Sequence, residues 1–240
     1  MDMKQINVFT RDLSRLKILC CVFSLFPCFF LEADPPSERK LVKVASRCEL
    51  IEFAEADDRL DGALSERFDG EYENVLFIKG RLVLDGDFLE AIAELDDNEP
   101  DLIVVDGDLD VNGRIALPDA KPGLFVSGET RALTLEGGEC EIYIREGTFE
   151  YLVYGFGNEG ILKTGRIKTP WVINEGHELR VMARDAIKVD NDGDAENYDY
   201  NSENIEDAFV EEVLDGNKLD MEAFLERLMD GDPVLKDEDD

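Results

Sequence analysis

VLFIKGRLVLDG (residues 75–86) is followed by LIVVDGDLDVNG (residues 102–113), one twelve-residue phrase written twice. Each copy runs hydrophobic, glycine, hydrophobic, then aspartate or asparagine before a second glycine. Three further segments, GLFVSGET, IYIREGTF and ILKTGRI, align on the same first glycine, giving Gly80, Gly107, Gly128, Gly147 and Gly165 at spacings of 27, 21, 19 and 18. Four positions before each glycine stand Leu76, Ile103, Leu124, Tyr143 and Ile161; three before stand Phe77, Val104, Phe125, Ile144 and Leu162. Two after come Leu82, Leu109, Thr130, Phe149 and Ile167, apolar but for one threonine. A repeat near 20 residues with apolar columns predicts a β-solenoid, because each coil exposes a hydrophobic edge until the next one covers it. Glycine suits the corners, where a Cβ would be strained or crowded. The fold class is therefore mainly β: a short right-handed parallel β-helix with flanking helices. The alternative is an antiparallel β-sandwich with helices, for which Asn112-Gly113 would supply a hairpin turn.

Five stretches follow from composition. Residues 1–40 form a leader or disordered N-terminal segment, 41–74 a helical segment, 75–181 the solenoid, 182–203 an acidic linker, and 204–240 a C-terminal helical pair with an acidic tail. Ser46 and Glu49 have capping-box spacing, with Leu50, Phe53 and Ala54 at helical intervals. Phe88, Leu89, Ile92 and Leu95 mark a short amphipathic helix inserted between the first two coils. Ile205, Phe209 and Val213 mark one C-terminal helix and Met221, Phe224, Leu225 and Leu228 the other, with Gly216 and Gly231 as stops. Such a pair would cover the open end of the stack, as repeat proteins require.

Fifty-seven acidic against 25 basic residues give a net charge of −32. A surface this negative repels phosphate backbones and excludes direct nucleic-acid binding. It favours a basic protein partner, or cations. Residues 185–240 alone carry 21 acidic and 4 basic side chains, a net of −17. Ile18–Leu31 is 14 uncharged residues long, too short for a comfortable membrane span, which needs about 20. It has the length of an export-signal core but lacks a small-x-small exit. Cys20, Cys21 and Cys28 lie within it, so only Cys48 and Cys140 remain for the body, too few for a disulfide framework or a metal site. The body reads as cytoplasmic, with export as the alternative.

Chemistry-bearing motifs are sparse. Asp190, Asp192 and Asp194 alternate like the opening ligands of an EF-hand and are the candidate metal site, with calcium as the cation. Ala195 and Asn201 depart from that pattern at its sixth and twelfth positions. His177 is the sole histidine, with no identifiable partner for acid–base work. No phosphate loop, dinucleotide fingerprint, zinc spacing or nucleophile triad is present, so no cofactor or catalytic set is expected. Arg81, Asp108, Glu129, Thr148 and Arg166 share one column and would form a charged ladder. Aromatics crowd residues 143–171, and Tyr151, Tyr154, Phe156 and Trp171 are the candidate interaction patch.

The GDL and VNG coils over 75–181 resemble the bactofilin class of bacterial polymer-forming proteins. That resemblance implies a right-handed β-helix that self-associates end to end without nucleotide. The coils here are longer and irregular, and predicted helices flank both ends. The residues therefore favour a non-enzymatic binding or scaffolding protein whose acidic surface masks a basic partner, of immunity or accessory type. The alternatives are a polymer-forming β-helix subunit and a calcium-dependent carbohydrate-active β-helix.

Overall fold

The computed structural model describes residues 47–95 and 98–236. Strand accounts for 46% and helix for 16%, and the strands wind into a parallel β-solenoid of about four turns. Each coil passes through three strand positions, so three faces stack. The first face is β2 (Asn74–Lys79), β4 (Leu102–Asp106), the starts of β7 (Gly123–Gly137), β8 (Glu141–Phe156) and β9 (Ile161–Lys168), and β11 (Glu178–Met182). The second is β3 (Leu82–Leu84), β5 (Leu109–Val111) and the next stretches of β7, β8 and β9. The third is β6 (Arg114–Leu117), the ends of β7 and β8, β10 (Trp171–Glu175) and β12 (Ile187–Asp190). All these pairs are parallel, so the sandwich alternative is not the fold adopted.

The interior is a set of stacked columns. Leu76, Ile103, Leu124, Ile142, Leu162 and Leu179 follow one another on the first face, and Ile115, Leu135, Val153 and Val172 on the third. All but Leu179 are at most 3% exposed, so the solenoid is filled by side chains rather than hollow. Burial of each such side chain stabilises by about 1.5–3 kcal/mol.

Why the phrase repeats is visible in its glycines. A Cβ on Gly107 would lie 2.5 Å from the carbonyl carbon of Gly80, and one on Gly113 2.5 Å from that of Gly86. Both glycines of the second copy thus stack directly on those of the first, and the Asn112 amide donates to Asp85 at 2.7 Å. Asn112-Gly113 is a corner between β5 and β6, not a hairpin. Gly128 continues the column against Gly107, but Gly147 does not: Gly165 stacks on Arg145, and Gly147 faces Thr130 and Ile167 in the second face. The register shifts between Val126 and Glu129, so the fourth and later coils have one residue fewer at that corner. The fourth and fifth segments are therefore offset from the glycine alignment, and Ile142 and Leu162 occupy the column expected for Tyr143 and Ile161.

Both flanks of the solenoid differ from expectation. The proposed helix around Glu49 and Leu50 is instead strand β1 (Cys48–Glu52), antiparallel to β2, and α1 (Phe53–Arg59) starts only afterwards. The open edge of β2 offers a full ladder of backbone hydrogen bonds, which outweighs local helix propensity. Ser46 and the leader, including Ile18–Leu31, lie outside the described residues. Helix α2 (Phe88–Ala93) is where the sequence places it and packs beside β6, occupying the third face of the first coil.

The stretch 182–203 is not a linker. It contributes β12, and Tyr200 bridges to Val189 beyond it. The C-terminal segment holds α3 (Ile205–Ala208), a 3-10 turn (Glu211–Val213), the hairpin β13 (Leu214–Asp215) and β14 (Lys218–Leu219), and α4 (Met221–Asp230). The first predicted helix stops at Ala208 because Phe209 is extended, although Ile205, Phe209 and Val213 are all fully buried. Gly216, at φ +65°, serves the hairpin rather than a helix end, whereas Gly231, at φ +79°, does close α4. Asp220 caps the start of α4 by accepting from the N–H groups of Glu222 and Ala223.

Candidate interaction surface

Along the third face, side chains alternate. Val153 and Val172 point into the solenoid, while Leu152, Trp171, Ile173 and Val189 point outward and carry a second hydrophobic cluster. The C-terminal segment closes over that outer side. Trp171 meets Phe224 edge to face at 5.2 Å and Phe209 at 5.9 Å, and Phe209 meets Tyr200 at 5.0 Å. The expected cap over the open end is thus a plate on the flank. The reason is apolar area: four outward hydrophobics on one face attract Ile205, Phe209, Val213, Phe224 and Leu225 more strongly than a single strand edge could.

The outer side of this plate is acidic. Between Glu203 and Asp232 stand eleven exposed carboxylates and only two basic residues, Lys218 and Arg227. Lys218 pairs with Asp192, and the Arg227 guanidinium donates to the Pro233 carbonyl at 2.6 Å, so neither neutralises the plate. The carboxylates are held on a scaffold fixed by buried aromatics, which limits the ordering cost of binding.

The predicted site residues are dispersed. Asp190 is 7% exposed and accepts the Ala195 N–H at 3.0 Å, in a turn that fixes the loop after β12. Asp192 points to Lys218, and Asp194 is exposed. Among the described residues no group of three or more His, Cys, Asp or Glu could hold a metal, so the calcium expectation for these three aspartates is not supported. Trp171 is buried in the plate cluster at 6% exposure, and Tyr151 packs half-buried against it. Tyr154 stacks on Phe156 with ring centroids 5.0 Å apart and donates its hydroxyl to Glu175. Burial first, and Glu175 second, raise the Tyr154 pKa. The four aromatics therefore serve packing; only Tyr154 and Phe156 reach the margin of the plate.

His177 lies against Gly155 and Gly160, where a Cβ would come within 2.7 and 2.6 Å of its ring. Its Nδ1 is 3.1 Å from the Phe156 carbonyl oxygen, Nε2 is buried without a partner, and burial lowers its pKa. It bonds to no carboxylate or hydroxyl among the described residues, so its role is to fill the corner. Cys140 is likewise buried, and burial pushes its thiol up to about 12, away from nucleophilic chemistry. The expected charged column is not kept, because Glu129 pairs in register with Glu146 and Thr148 with Arg131; the exposed second face instead carries a diagonal ladder. Arg81 pairs with Asp110 at 2.6 Å, and Arg131 with Asp110 at 3.4 Å and Glu129 at 2.5 Å.

Sequence reasoning missed a group of cations. Lys163 and Arg180 follow Tyr143 in the outward column of the first face that begins with Phe77, Val104 and Phe125. The one-residue slip at the fourth coil hid this column. Applying the shift would have revealed aromatic residues giving way to cations.

No protein-family model, curated protein or solved structure matches this chain. Among the described residues no helix is long and apolar enough to cross a membrane.

Proposed function

We propose that this is a non-enzymatic binding protein whose acidic flank docks and masks a basic protein partner, as an immunity or accessory protein would. The observation carrying this reading is the plate: eleven exposed carboxylates on a segment anchored through Trp171, Phe209 and Phe224. Such a surface steers a basic partner by its field and accelerates encounter, while suppressing acidic competitors. The filled interior, and the packing roles of His177 and Cys140, support binding over turnover. The first-coil end of the stack favours it over the polymer-subunit alternative. End-to-end growth needs free parallel edges, yet β1 occupies the first-face edge in antiparallel sense, and α2 stands in the third face of the first coil.

The test is affinity capture with the wild-type protein and a variant with Glu211, Glu212, Glu222 and Glu226 changed to Gln. The captured protein is then purified and titrated at about 50 and about 300 mM salt. The expected result is a discrete basic partner whose affinity falls at least about tenfold, both on substitution and with added salt. A partner that binds the variant equally well would overturn the assignment to this flank. Turnover of a substrate would overturn the non-enzymatic reading.

A further inference from the structure

The first face is covered on its outer side by the N-terminal segment, but only in part. Ala56, Leu64 and Phe68 pack on Val75, Phe77, Val104 and Phe125, and this cover ends near Tyr143. Beyond it a groove of about 560 Å³ runs across the later coils. Its floor is formed by Phe125 and Tyr143, and its walls carry Arg67, Arg145, Lys163 and Arg180 against a single carboxylate, Glu66. Four cations converging in a chain of net charge −32 are the reverse of its general surface.

Two of these four charges lack a counter-charge. Arg145 and Lys163 have no carboxylate within ion-pair distance among the described residues. The Arg145 guanidinium reaches only the Ser127 carbonyl, at 3.4 Å, and the Lys163 ammonium only the Tyr143 hydroxyl, at 3.4 Å. Arg67 has Glu66 at 3.5 Å, and Arg180 has Glu178 at 2.6 Å. An adjoining hollow shares Lys163 and Arg180 and adds Lys188, which extends the positive strip toward the end of the stack.

We propose that this groove docks a short, extended, acidic peptide segment of a partner protein, whose carboxylates pair with Arg145, Lys163 and Arg180. Phe125, Tyr143, Lys163 and Arg180 occupy four successive rungs, about 14 Å at the usual strand spacing of about 4.8 Å. That matches roughly four extended residues. Guanidinium forks take carboxylates in bidentate fashion, and at physiological salt a short segment in the groove is screened from the chain's distant negative charge. A nucleic acid fits less well. The two floor rings are already approached by cations, Arg67 at 5.9 Å from the Phe125 centroid and Lys163 at 5.2 Å from that of Tyr143, which would compete with a stacked base. The remainder of the chain would also repel a long polyanion. This inference concerns a different flank and the opposite charge from the acidic plate, so it stands or fails independently of the function proposed above.

The test is fluorescence anisotropy on the full chain with labelled acetyl-Glu-Asp-Glu-Asp-amide, its Gln-Asn-Gln-Asn counterpart, and unlabelled inorganic phosphate as competitor. The expected result is saturable binding of the acidic peptide only. Affinity should fall at least about tenfold in Arg145→Gln/Lys163→Gln and be unchanged in Arg59→Gln, which lies on α1 outside the groove. Thermal unfolding of each variant, together with the single charge reversal Arg145→Glu at an exposed corner, separates lost binding from lost folding. Equal binding to the folded double variant, or to the neutral peptide, would overturn the proposal. So would an acidic peptide that fails to bind, including the case in which phosphate alone occupies the groove.

Discussion

Thr130 carries a hydroxyl that is fully buried and has no hydrogen-bond partner. It stands in the second-face column between Leu109 and Gly147, where every other side chain is apolar. An unpaired buried hydroxyl costs about 1–3 kcal/mol, so the isosteric change Thr130→Val should stabilise the protein by about 1 kcal/mol. The check is the urea midpoint, with an unchanged slope. A lower midpoint would show that the hydroxyl is satisfied after all. The threonine was legible as the one break in an otherwise apolar column, but its lack of a partner was not, because that depends on what faces it across the coil. The glycines divide in the same way. Gly80, Gly107 and Gly128 could be aligned by eye, whereas Arg145 takes the corner that Gly147 was expected to hold, since a one-residue register change leaves no mark in composition.

At the scale of elements, interior columns were readable and the flanking segments were not. A stack repeats its demands on every coil, so the pattern accumulates over five segments. A flank is decided once, by whatever edge or face lies bare. Cys48–Glu52 became a strand because β2 offered an edge, and Phe209 left its helix to fill the space against Trp171 and Tyr200. The placement of the candidate metal and aromatic residues was illegible for the same reason: alternating aspartates and clustered rings show residue types but not directions. Asp101 shows how such a junction is secured. Its carboxylate accepts the N–H groups of Glu73 and Asn74, both at 3.0 Å, and the Lys121 ammonium at 2.8 Å, fastening the start of β2 to the turn before β7. The Lys121 contact first, then these backbone bonds, hold its pKa down at about 2. Its folded value lies below the unfolded one. The stabilisation is therefore fully present above about pH 4 and is lost as pH falls toward 2. Asp101→Asn should cost about 1–2 kcal/mol at neutral pH and flatten the loss of stability over that acid window. Denaturant titrations at pH 7, 4 and 3 read this directly. An Asn variant with the wild-type acid slope would assign that slope to other carboxylates.

For the whole molecule, charge is arranged by flank. The third face carries the acidic plate, the second an exposed ladder of alternating signs, and the first a cationic groove beyond the N-terminal cover. Two effects of salt compete in such a molecule. Screening weakens the ladder, in which each exposed pair contributes about 0.2–1 kcal/mol, but it also relieves repulsion among the unmatched carboxylates. With 57 acidic residues and 25 basic ones, even complete pairing would leave 32 carboxylates unmatched, so repulsion should dominate. Raising salt from about 20 to about 500 mM should therefore raise the thermal midpoint. The variant with Glu211, Glu212, Glu222 and Glu226 changed to Gln should start higher at low salt and gain less, because the plate concentrates like charges within a Debye length of one another. Thermal unfolding of both proteins across that range decides the matter. A midpoint that falls with salt would mean that the ladder and the ion pairs at the groove outweigh the repulsion. The plate would then be a minor term in stability.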